Sequence, residues 1–256
     1  MLDSYHLNIL LNEFNLPEGG RALVERIRSS QPSRRVGSDG KNVCVRYQSN
    51  KMGVTIQAES HTVEFCFIYE QEYDDSVFEY YDQPESIKLK YKHIGGKNIG
   101  AMHTPDFFII SKTFIGYVEC KTEEHLFKLS EKNPTRYVQD ENGIWRCPPG
   151  EEAAAEFGLS YKLWSDASLN WIFQENIRFL EDYFRPNTPK PDAILLQKVF
   201  DILRDRKWMT ILSLIEIDDI NADVVYWMIS HEKIHVDIYS YLLTEPERAY
   251  SGERDT

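Results

Sequence analysis

The sequence is short of several features that would place a protein in a broad class. Its longest apolar stretches, such as Ile211-Leu212 beside Leu214-Ile215, fall far short of the roughly 20 residues that span a bilayer. The N-terminus shows no basic segment followed by an apolar core, so we predict no signal peptide. The four cysteines form no CxxC pair and no zinc spacing, and no glycine-rich loop has a nucleotide-binding pattern. We therefore expect a cytoplasmic protein with reduced thiols and no membrane segment.

Positive charge is also scarce, and it is unevenly distributed. The formal net charge of the chain is −12, whereas proteins that hold DNA alone usually carry a basic surface. The segment from Arg21 to Lys51 contains eight basic residues against two acidic ones, a net charge of +6. Two interpretations stay open, a solvated loop and helix face or a phosphate-binding patch. For the second, the candidate DNA contacts are Arg34, Arg35, Lys41 and Arg46.

The apolar content supports an α/β fold in two domains. Hydrophobic residues make up 42% of the chain, which is enough for a packed core. Three prolines in residues 185–192 predict a boundary between a domain over 1–185 and a helical domain over 192–256. In the first domain, helical periodicity over 61–72 and 123–132 and short apolar strands predict a mixed sheet flanked by helices. In the second, helices followed by a strand at 234–238 indicate a winged-helix-like module.

Two of the most apolar strands carry charged residues at one end. The strand Phe107–Ile110 follows Asp106, and the strand Ile115–Val118 leads into Glu119 and Lys121. Side chains at i and i+2 of a strand share a face, so Glu119 and Lys121 point the same way. A turn centred on residues 112–113 would place Asp106 directly opposite Glu119, with Cβ atoms about 5 Å apart.

This arrangement predicts chemistry at a phosphodiester. Two carboxylates so close repel each other unless a cation lies between them, and Mg²⁺ accepts carboxylate, water and phosphate oxygen. The ion lowers the pKa of bound water, and Lys121 orients or deprotonates that water or stabilises the anionic transition state. The alternative is that Asp106 caps a turn and that Glu119 and Lys121 form an ion pair on an edge strand.

A third carboxylate is expected from the helix that precedes the sheet. Glu64 lies in the apolar stretch Val63–Tyr69, four residues after Ser60, a candidate N-cap. This placement favours an inward-facing side chain, and a solvated carboxylate is the alternative. Glu59, Glu70 and Glu72 are its competitors. The histidines form no i, i+4 pair except His231 and His235, which we interpret as structural.

At these residues the sequence resembles TnsA, the endonuclease subunit of heteromeric bacterial transposases. The resemblance runs over most of the chain and is weaker over its last 65 residues. It depends on an ordered series of short segments, which are Arg35-Val36-Gly37-Ser38, Glu59 to Glu64, Glu70 to Asp74, Tyr81-Asp82-Gln83-Pro84, Thr104-Pro105-Asp106-Phe107 and Val118-Glu119-Cys120-Lys121.

The resemblance implies a restriction-endonuclease-like fold of the PD-(D/E)xK type. It carries the roles of a helix glutamate, an aspartate and a lysine onto Glu64, Asp106 and Lys121, while Glu119 stands where that family has glutamate or glutamine. The expected cofactor is Mg²⁺, for which Mn²⁺ can substitute. All the expected ligands are oxygen atoms, from Glu64, Asp106, Glu119 and the backbone carbonyl of Cys120.

The resemblance also implies a task and partners. The task is to nick the 5′ ends of transposon DNA while a separate DDE transposase cuts and joins the 3′ ends. An AAA ATPase regulator is a further expected partner, through the C-terminal domain. That domain has 13 acidic and seven basic residues over 192–256, which suits protein partners better than DNA. The overall acidity predicts weak DNA binding by the isolated chain.

Two other functions stay open. A restriction or anti-phage defence nuclease would use the same core without the transposase. A non-catalytic, DNA-associated scaffolding module would have lost the chemistry, although all four expected site residues are present. Residues 133–149 have no assigned role.

Overall fold

The computed structural model describes residues 1–33, 45–58, 63–93, 95–185 and 187–253. These divide into two compact units, residues 1–169 and 170–256. The helices are α1 (Ser4–Glu13), α2 (Glu18–Ser29), α3 (Val63–Tyr73), α4 (Glu123–Lys132), α5 (Pro148–Ala155), α6 (Trp171–Leu180), α7 (Ala193–Arg206), α8 (Ile211–Ile215) and α9 (Ala222–Ser230). The strands are β1 (Val45–Gln48), β2 (Thr55–Ala58), β3 (Val77–Asp82), β4 (Ile87–Lys92), β5 (Asn98–His103), β6 (Phe107–Ser111), β7 (Ile115–Lys121), β8 (Val138–Gln139), β9 (Trp145–Arg146), β10 (Ser160–Ser165), β11 (Trp208–Thr210), β12 (Ile234–Val236) and β13 (Tyr250–Glu253).

The first unit is built on a mixed four-stranded sheet. Its strand order is β10–β7–β6–β3, with β10 parallel to β7 and the other neighbours antiparallel. The apolar strands β6 and β7 are the central pair of this sheet. They are joined by the short turn expected at 112–113, and Phe107 pairs with Val118. Asp106 and Glu119 are therefore the next residues in the register, as predicted.

Helices cover both faces of this sheet. The face that carries Tyr117 and Tyr161 packs against α1, α2 and α5. The opposite face, with Val118 and Cys120, packs against α3. Because neighbouring side chains of a strand alternate, β7 sends Glu119 toward the first face and Cys120 toward α3. The chain is thus mixed α/β, with a mixed sheet flanked by helices.

A glycine allows β10 to approach the site. A Cβ atom at Gly116 would lie 2.0 Å from the carbonyl oxygen of Ser160, which is its partner in the parallel ladder. No side chain fits at that separation, so glycine is needed for β10 to pair with β7 here. The pairing brings Tyr161, the next residue of β10, beside the strand that carries Glu119.

Short hairpins complete the first unit. β4 and β5 pair antiparallel, and β4 alternates between buried Ile87 and Leu89 and exposed lysines. β8 and β9 form a second small hairpin within residues 133–149. Its Trp145 packs with Leu126 and Tyr137 in a small separate cluster, which explains why so short a hairpin forms.

The second unit has its own apolar core and begins earlier than predicted. It combines α6 to α9 with a three-stranded sheet in the order β11–β13–β12. The predicted boundary at 185–192 lies inside this unit, because α6 belongs to it. Asn176 of α6 donates to the carbonyl oxygens of Ile238 and Tyr241 and accepts from the backbone N–H of Leu243. The unit holds 16 acidic and 10 basic residues, so it remains acidic with the new boundary.

None of the helices within the described ranges is both long enough and apolar enough to cross a membrane. The described cysteines, Cys66, Cys120 and Cys147, are buried and form no disulfide bond with one another. Cys44 lies outside the described residues.

Candidate active site

The predicted charged residues meet where β7 ends. The ammonium nitrogen Nζ of Lys121 lies 3.3 Å from Oδ2 of Asp106 and 3.1 Å from Oε1 of Glu119. It also donates to the backbone carbonyl of Cys120 at 3.1 Å, and the N–H of Cys120 donates to Oδ2 of Asp106 at 2.8 Å. α4 starts directly after Lys121, capped by Thr122, which fixes this end of the strand. The cation between the two carboxylates is thus supplied by the chain itself.

This arrangement departs from the structural alternative. Glu119 and Lys121 do form an ion pair, but β7 is a central strand of its sheet rather than an edge strand. Asp106 accepts from a backbone N–H on the neighbouring strand rather than from a local turn. A charge pair buried in the centre of a sheet is costly to desolvate, so it suits a functional site better than a stabilising contact.

The two carboxylates have opposite pKa shifts. Burial raises the pKa of Asp106, against the lowering effect of Lys121. Burial also acts to raise the pKa of Glu119, but the hydrogen bond from His103 and the charge of Lys121 outweigh it and hold that pKa far below its ordinary value. The two carboxylates in turn raise the pKa of Lys121, despite its burial. Glu119 is therefore well compensated as an anion, whereas Asp106 is not.

Glu119 is 1% exposed and receives hydrogen bonds on both of its oxygens. At Oε1, Tyr137 donates from its hydroxyl at 3.2 Å, in addition to Lys121. At Oε2, the Tyr161 hydroxyl donates at 2.5 Å, and Nε2 of His103 lies at 3.0 Å. Glu119 can bind a metal ion only by giving up one of these donors.

The proton on His103 can be assigned from its partners. Nη2 of Arg136 lies 3.3 Å from Nδ1 of His103, and a guanidinium can only donate. Nδ1 is therefore the acceptor, so the neutral ring carries its proton on Nε2, which faces Glu119. Arg136 itself lies 4.0 Å from Oε2 of Glu119 and packs over the ring of Tyr137.

Glu64 is buried in the first turn of α3, as the sequence predicts. It approaches from the face opposite to Glu119, because α3 packs beside Cys120. There its negative charge helps to raise the pKa of the Cys120 thiol, after burial and the charge of Asp106. Of the competitors, Glu72 holds the turn after β1 through the N–H groups of Asn50 and Lys51. Glu59 and the expected N-cap Ser60 lie outside the described residues.

The donor atoms partly fit a magnesium ion. Both hydrogen bonds that Asp106 receives from the described residues end on Oδ2, which leaves Oδ1 to face a cation. However, the described part of the chain shows no group of three His, Cys, Asp or Glu side chains arranged to hold a metal. Mg²⁺ is often held by only one or two carboxylates, with water and phosphate oxygens completing its shell. The residues therefore fit an ion held mainly at Asp106.

The predicted basic patch is weaker than its charge count suggests. Arg21 donates to the carbonyl oxygens of Leu11 and Leu16. Arg26 and Arg28 donate to glutamates, and Lys51 donates to backbone carbonyls. Four basic residues of the segment are therefore engaged, Arg21, Arg26, Arg28 and Lys51. Arg46 is exposed on β1, while Arg34, Arg35 and Lys41 lie outside the described residues.

Sequence reasoning placed Asp106, Glu119 and Lys121 together but missed the donors around them. His103 ends β5, Tyr161 lies in β10, and Arg136 and Tyr137 precede β8. Their contacts with Glu119 span 16 to 42 positions of sequence, and no local pattern encodes such pairs. The available signal was their type, since histidine and tyrosine in strands beside an acidic motif are donors for a buried carboxylate.

No protein-family model matches the sequence, and no curated protein matches it.

Proposed function

We propose that this chain is a magnesium-dependent DNA endonuclease, the subunit of a bacterial transposase that nicks the 5′ ends of transposon DNA. The proposal rests on the site geometry for the chemistry and on the resemblance to TnsA for the biological task. It includes a restriction-endonuclease-like identity for the mixed sheet and a winged-helix-like identity for the second unit. We place its action in the bacterial cytoplasm, beside a DDE transposase and an AAA ATPase regulator.

One observation carries the proposed chemistry. The Lys121 ammonium lies against Asp106, Glu119 and the Cys120 carbonyl at the end of a central strand. The Lys121 side chain is 21% exposed, so this buried cluster still opens to solvent through its lysine. A carboxylate with one unengaged oxygen and a partly exposed cation is a combination suited to an anionic phosphodiester.

Each residue has a separate part in this proposal. Asp106, assisted by Glu64 and the Cys120 carbonyl, would hold Mg²⁺, and Mn²⁺ would substitute. When bound, the ion supplies a water of lowered pKa and neutralises charge on the phosphate. Because its raised pKa keeps it an ammonium ion, Lys121 stabilises the negative charge that develops on the phosphate oxygens, rather than acting as a base.

The charge distribution supports partner dependence. Affinity for DNA grows with the number of phosphates that Lys and Arg neutralise, and the chain is at −12 overall. Four basic residues of the segment from Arg21 to Lys51 are already bonded to the protein. We therefore expect the transposase to deliver this nuclease to its substrate, which would keep the site idle on host DNA.

The test is cleavage of a labelled duplex that carries the ends of the element encoding the chain. The duplex is incubated with the chain alone, with the DDE transposase alone, or with both proteins. Each mixture is tested in Mg²⁺, Mn²⁺, Ca²⁺ or EDTA. We expect 5′-end nicking only with both proteins, in Mg²⁺ or Mn²⁺, and little in Ca²⁺, whose looser geometry aligns water poorly.

Other results would reject this function in distinct ways. Nanomolar binding and cleavage of DNA by the chain alone would indicate a free-standing restriction or defence nuclease. Absence of cleavage under every condition, with assembly of the complex intact, would indicate a non-catalytic scaffolding module.

A further inference from the structure

Glu119 differs from Asp106 in what surrounds it. Its two oxygens accept from the hydroxyls of Tyr137 and Tyr161, at 3.2 and 2.5 Å, and from the His103 ring at 3.0 Å. Each oxygen of Glu119 already has two donors beside it, Tyr137 and Lys121 at Oε1 and Tyr161 and His103 at Oε2, so a metal ion could bind there only by displacing one of them. The cations beside Glu119 are the ammonium of Lys121, at 3.1 Å, and the guanidinium of Arg136, at 4.0 Å.

We propose that Glu119 is not a metal ligand but the anchor that positions Lys121, and that Tyr137, Tyr161 and His103 hold this anchor in place. The inference rests on the proposed function for the role of Lys121. Asp106 is left as the carboxylate that faces the ion. Glu119 is thus a positioning residue, which acts on the reaction through the lysine.

The anchor explains residues 133–149, which have no role in the sequence analysis. This stretch brings Tyr137 to Glu119 and Arg136 to His103. Its hairpin and its small apolar cluster with Leu126 fix the segment against the unit. Arg136, 4.0 Å from Glu119, adds a second positive charge that favours the anionic form. The segment therefore completes the support of the catalytic lysine.

The geometry makes the support specific to this lysine. Lysine carries a long flexible stem with three donors, and its ammonium is placed only by the groups around it. Nζ of Lys121 has three oxygen neighbours, from Asp106, Glu119 and the Cys120 carbonyl. Asp106, if it held an ion, would be shared between that ion and Lys121. Glu119 is then the carboxylate that keeps Lys121 directed at the phosphate.

The first measurement needs neither metal nor DNA. Reductive methylation of the full chain, followed by mass spectrometry, gives the reaction rate of each lysine. We expect Glu119→Gln to raise the rate at Lys121 several-fold, and Tyr137→Phe to raise it less. Lys90, which is 68% exposed, serves as the internal standard. The matched control is Glu79→Gln, a buried glutamate of the same sheet that does not contact Lys121.

The second measurement is single-turnover cleavage within the transposase complex. We expect Glu119→Gln to lower the maximal cleavage rate about 10- to 100-fold. The DNA concentration that gives half of the maximal rate, and the corresponding Mg²⁺ concentration, should each change less than threefold. Tyr137→Phe, which removes one hydroxyl, should lower the rate less and in the same manner. Thermal melting establishes that each variant is folded.

The possible outcomes separate this inference from the proposed function. A tenfold or larger rise in the Mg²⁺ requirement of Glu119→Gln would make Glu119 an ion ligand and overturn the inference. An unchanged Lys121 methylation rate, or an unchanged cleavage rate, in Glu119→Gln would also overturn it. If the wild-type complex does not cleave at all, the proposed function fails, while the methylation rates still decide whether Glu119 anchors Lys121.

Discussion

Two buried glutamates of the same sheet, Glu79 and Glu119, meet their counter-charges in different ways. Glu79 accepts a two-pronged contact from Arg28, at 2.8 and 2.9 Å, together with the Tyr81 hydroxyl and the N–H of Leu2. Glu119 shares its lysine with Asp106. A guanidinium fork matches one carboxylate completely, whereas a lysine ammonium divides its charge between two.

The two sites differ in how completely the counter-charge of a buried carboxylate is supplied, and this separates a structural contact from a functional one. The Arg28 fork closes the Glu79 site, and both Arg28 and Glu79 bond to the backbone of Leu2, which ties this residue to the sheet. At the other site, Asp106 is left with part of one cation and a raised pKa. An undercompensated carboxylate is a liability in the empty protein and a binding site for a hard cation. Four measurable properties should depend on how completely each buried carboxylate is compensated.

The largest effect is expected on cleavage at the shared-lysine site. Asp106→Asn and Lys121→Met should each lower single-turnover cleavage about 10²- to 10³-fold, because each removes charge stabilisation from the transition state. Asp106→Asn should melt near wild type, whereas Lys121→Met leaves two buried carboxylates without this cation and should be destabilised, so cleavage is compared per folded molecule. The control is Glu79→Gln, whose cleavage per folded molecule should equal that of wild type. Full activity of either site variant would remove Asp106 or Lys121 from the site as assigned.

The second effect is expected on stability, where Glu79→Gln should cost more than Asp106→Asn. Glu79→Gln removes the two-pronged anionic partner of the partly buried Arg28 and leaves it the more distant, exposed Glu25 at 3.7 Å; breaking a buried pair costs about 3–5 kcal/mol. Asp106→Asn removes an undercompensated charge, so the free energy of unfolding should stay constant or rise. Urea unfolding of both variants measures the difference. A larger loss in Asp106→Asn than in Glu79→Gln would contradict the contrast drawn above.

Much of the central sheet could be predicted from the sequence, for physical reasons that are local. Strands β6 and β7 are apolar on both faces and joined by a tight turn, so their register follows from the turn position. That register placed Asp106 beside Glu119 and Lys121. The inward placement of Glu64 was likewise visible from its apolar neighbours.

The hydrogen-bond donors around Glu119 and the boundary between the two units could not be predicted from local sequence patterns. Tyr161 reaches Glu119 only because Gly116 lets β10 approach, a contact between strands far apart in sequence. The prolines at 185–192 mark a real break between α6 and α7. They do not show that α6 belongs to the second unit, which depends on the side-chain hydrogen bonds of Asn176 to residues 238–243.

The third prediction concerns Glu70, a half-buried glutamate of α3 with less compensation than Glu79. Burial raises its pKa to about 7, from an ordinary value of 4.5. Between these values the folded chain keeps a proton on Glu70 that the unfolded chain releases, so stability should fall as pH rises through this window. The loss should be about 1–3 kcal/mol. Urea unfolding at pH 4.5 and pH 8 measures it.

Glu70→Gln should remove most of that pH dependence, because the amide does not titrate. The matched control is Glu156→Gln, whose side chain is 63% exposed and pairs only with exposed Lys90. Its unfolding should keep the wild-type dependence on pH. A Glu70→Gln variant that retains the full dependence would show that another group titrates in this window.

The smallest effect is expected at the hydroxyl that Tyr81 donates to Glu79. Tyr81→Phe removes one donor, but the Arg28 fork and the N–H of Leu2 remain, so Glu79 keeps its counter-charge. A hydrogen bond to a charged group contributes about 1.5–3 kcal/mol, and the fork should compensate for part of this loss. We expect about 1–2 kcal/mol of destabilisation by urea unfolding and unchanged cleavage per folded molecule. Tyr137→Phe, the corresponding change at Glu119, should have a similar cost in stability but a lower cleavage rate. Equal effects of the two substitutions on cleavage would mean that the two buried glutamates do not differ in function.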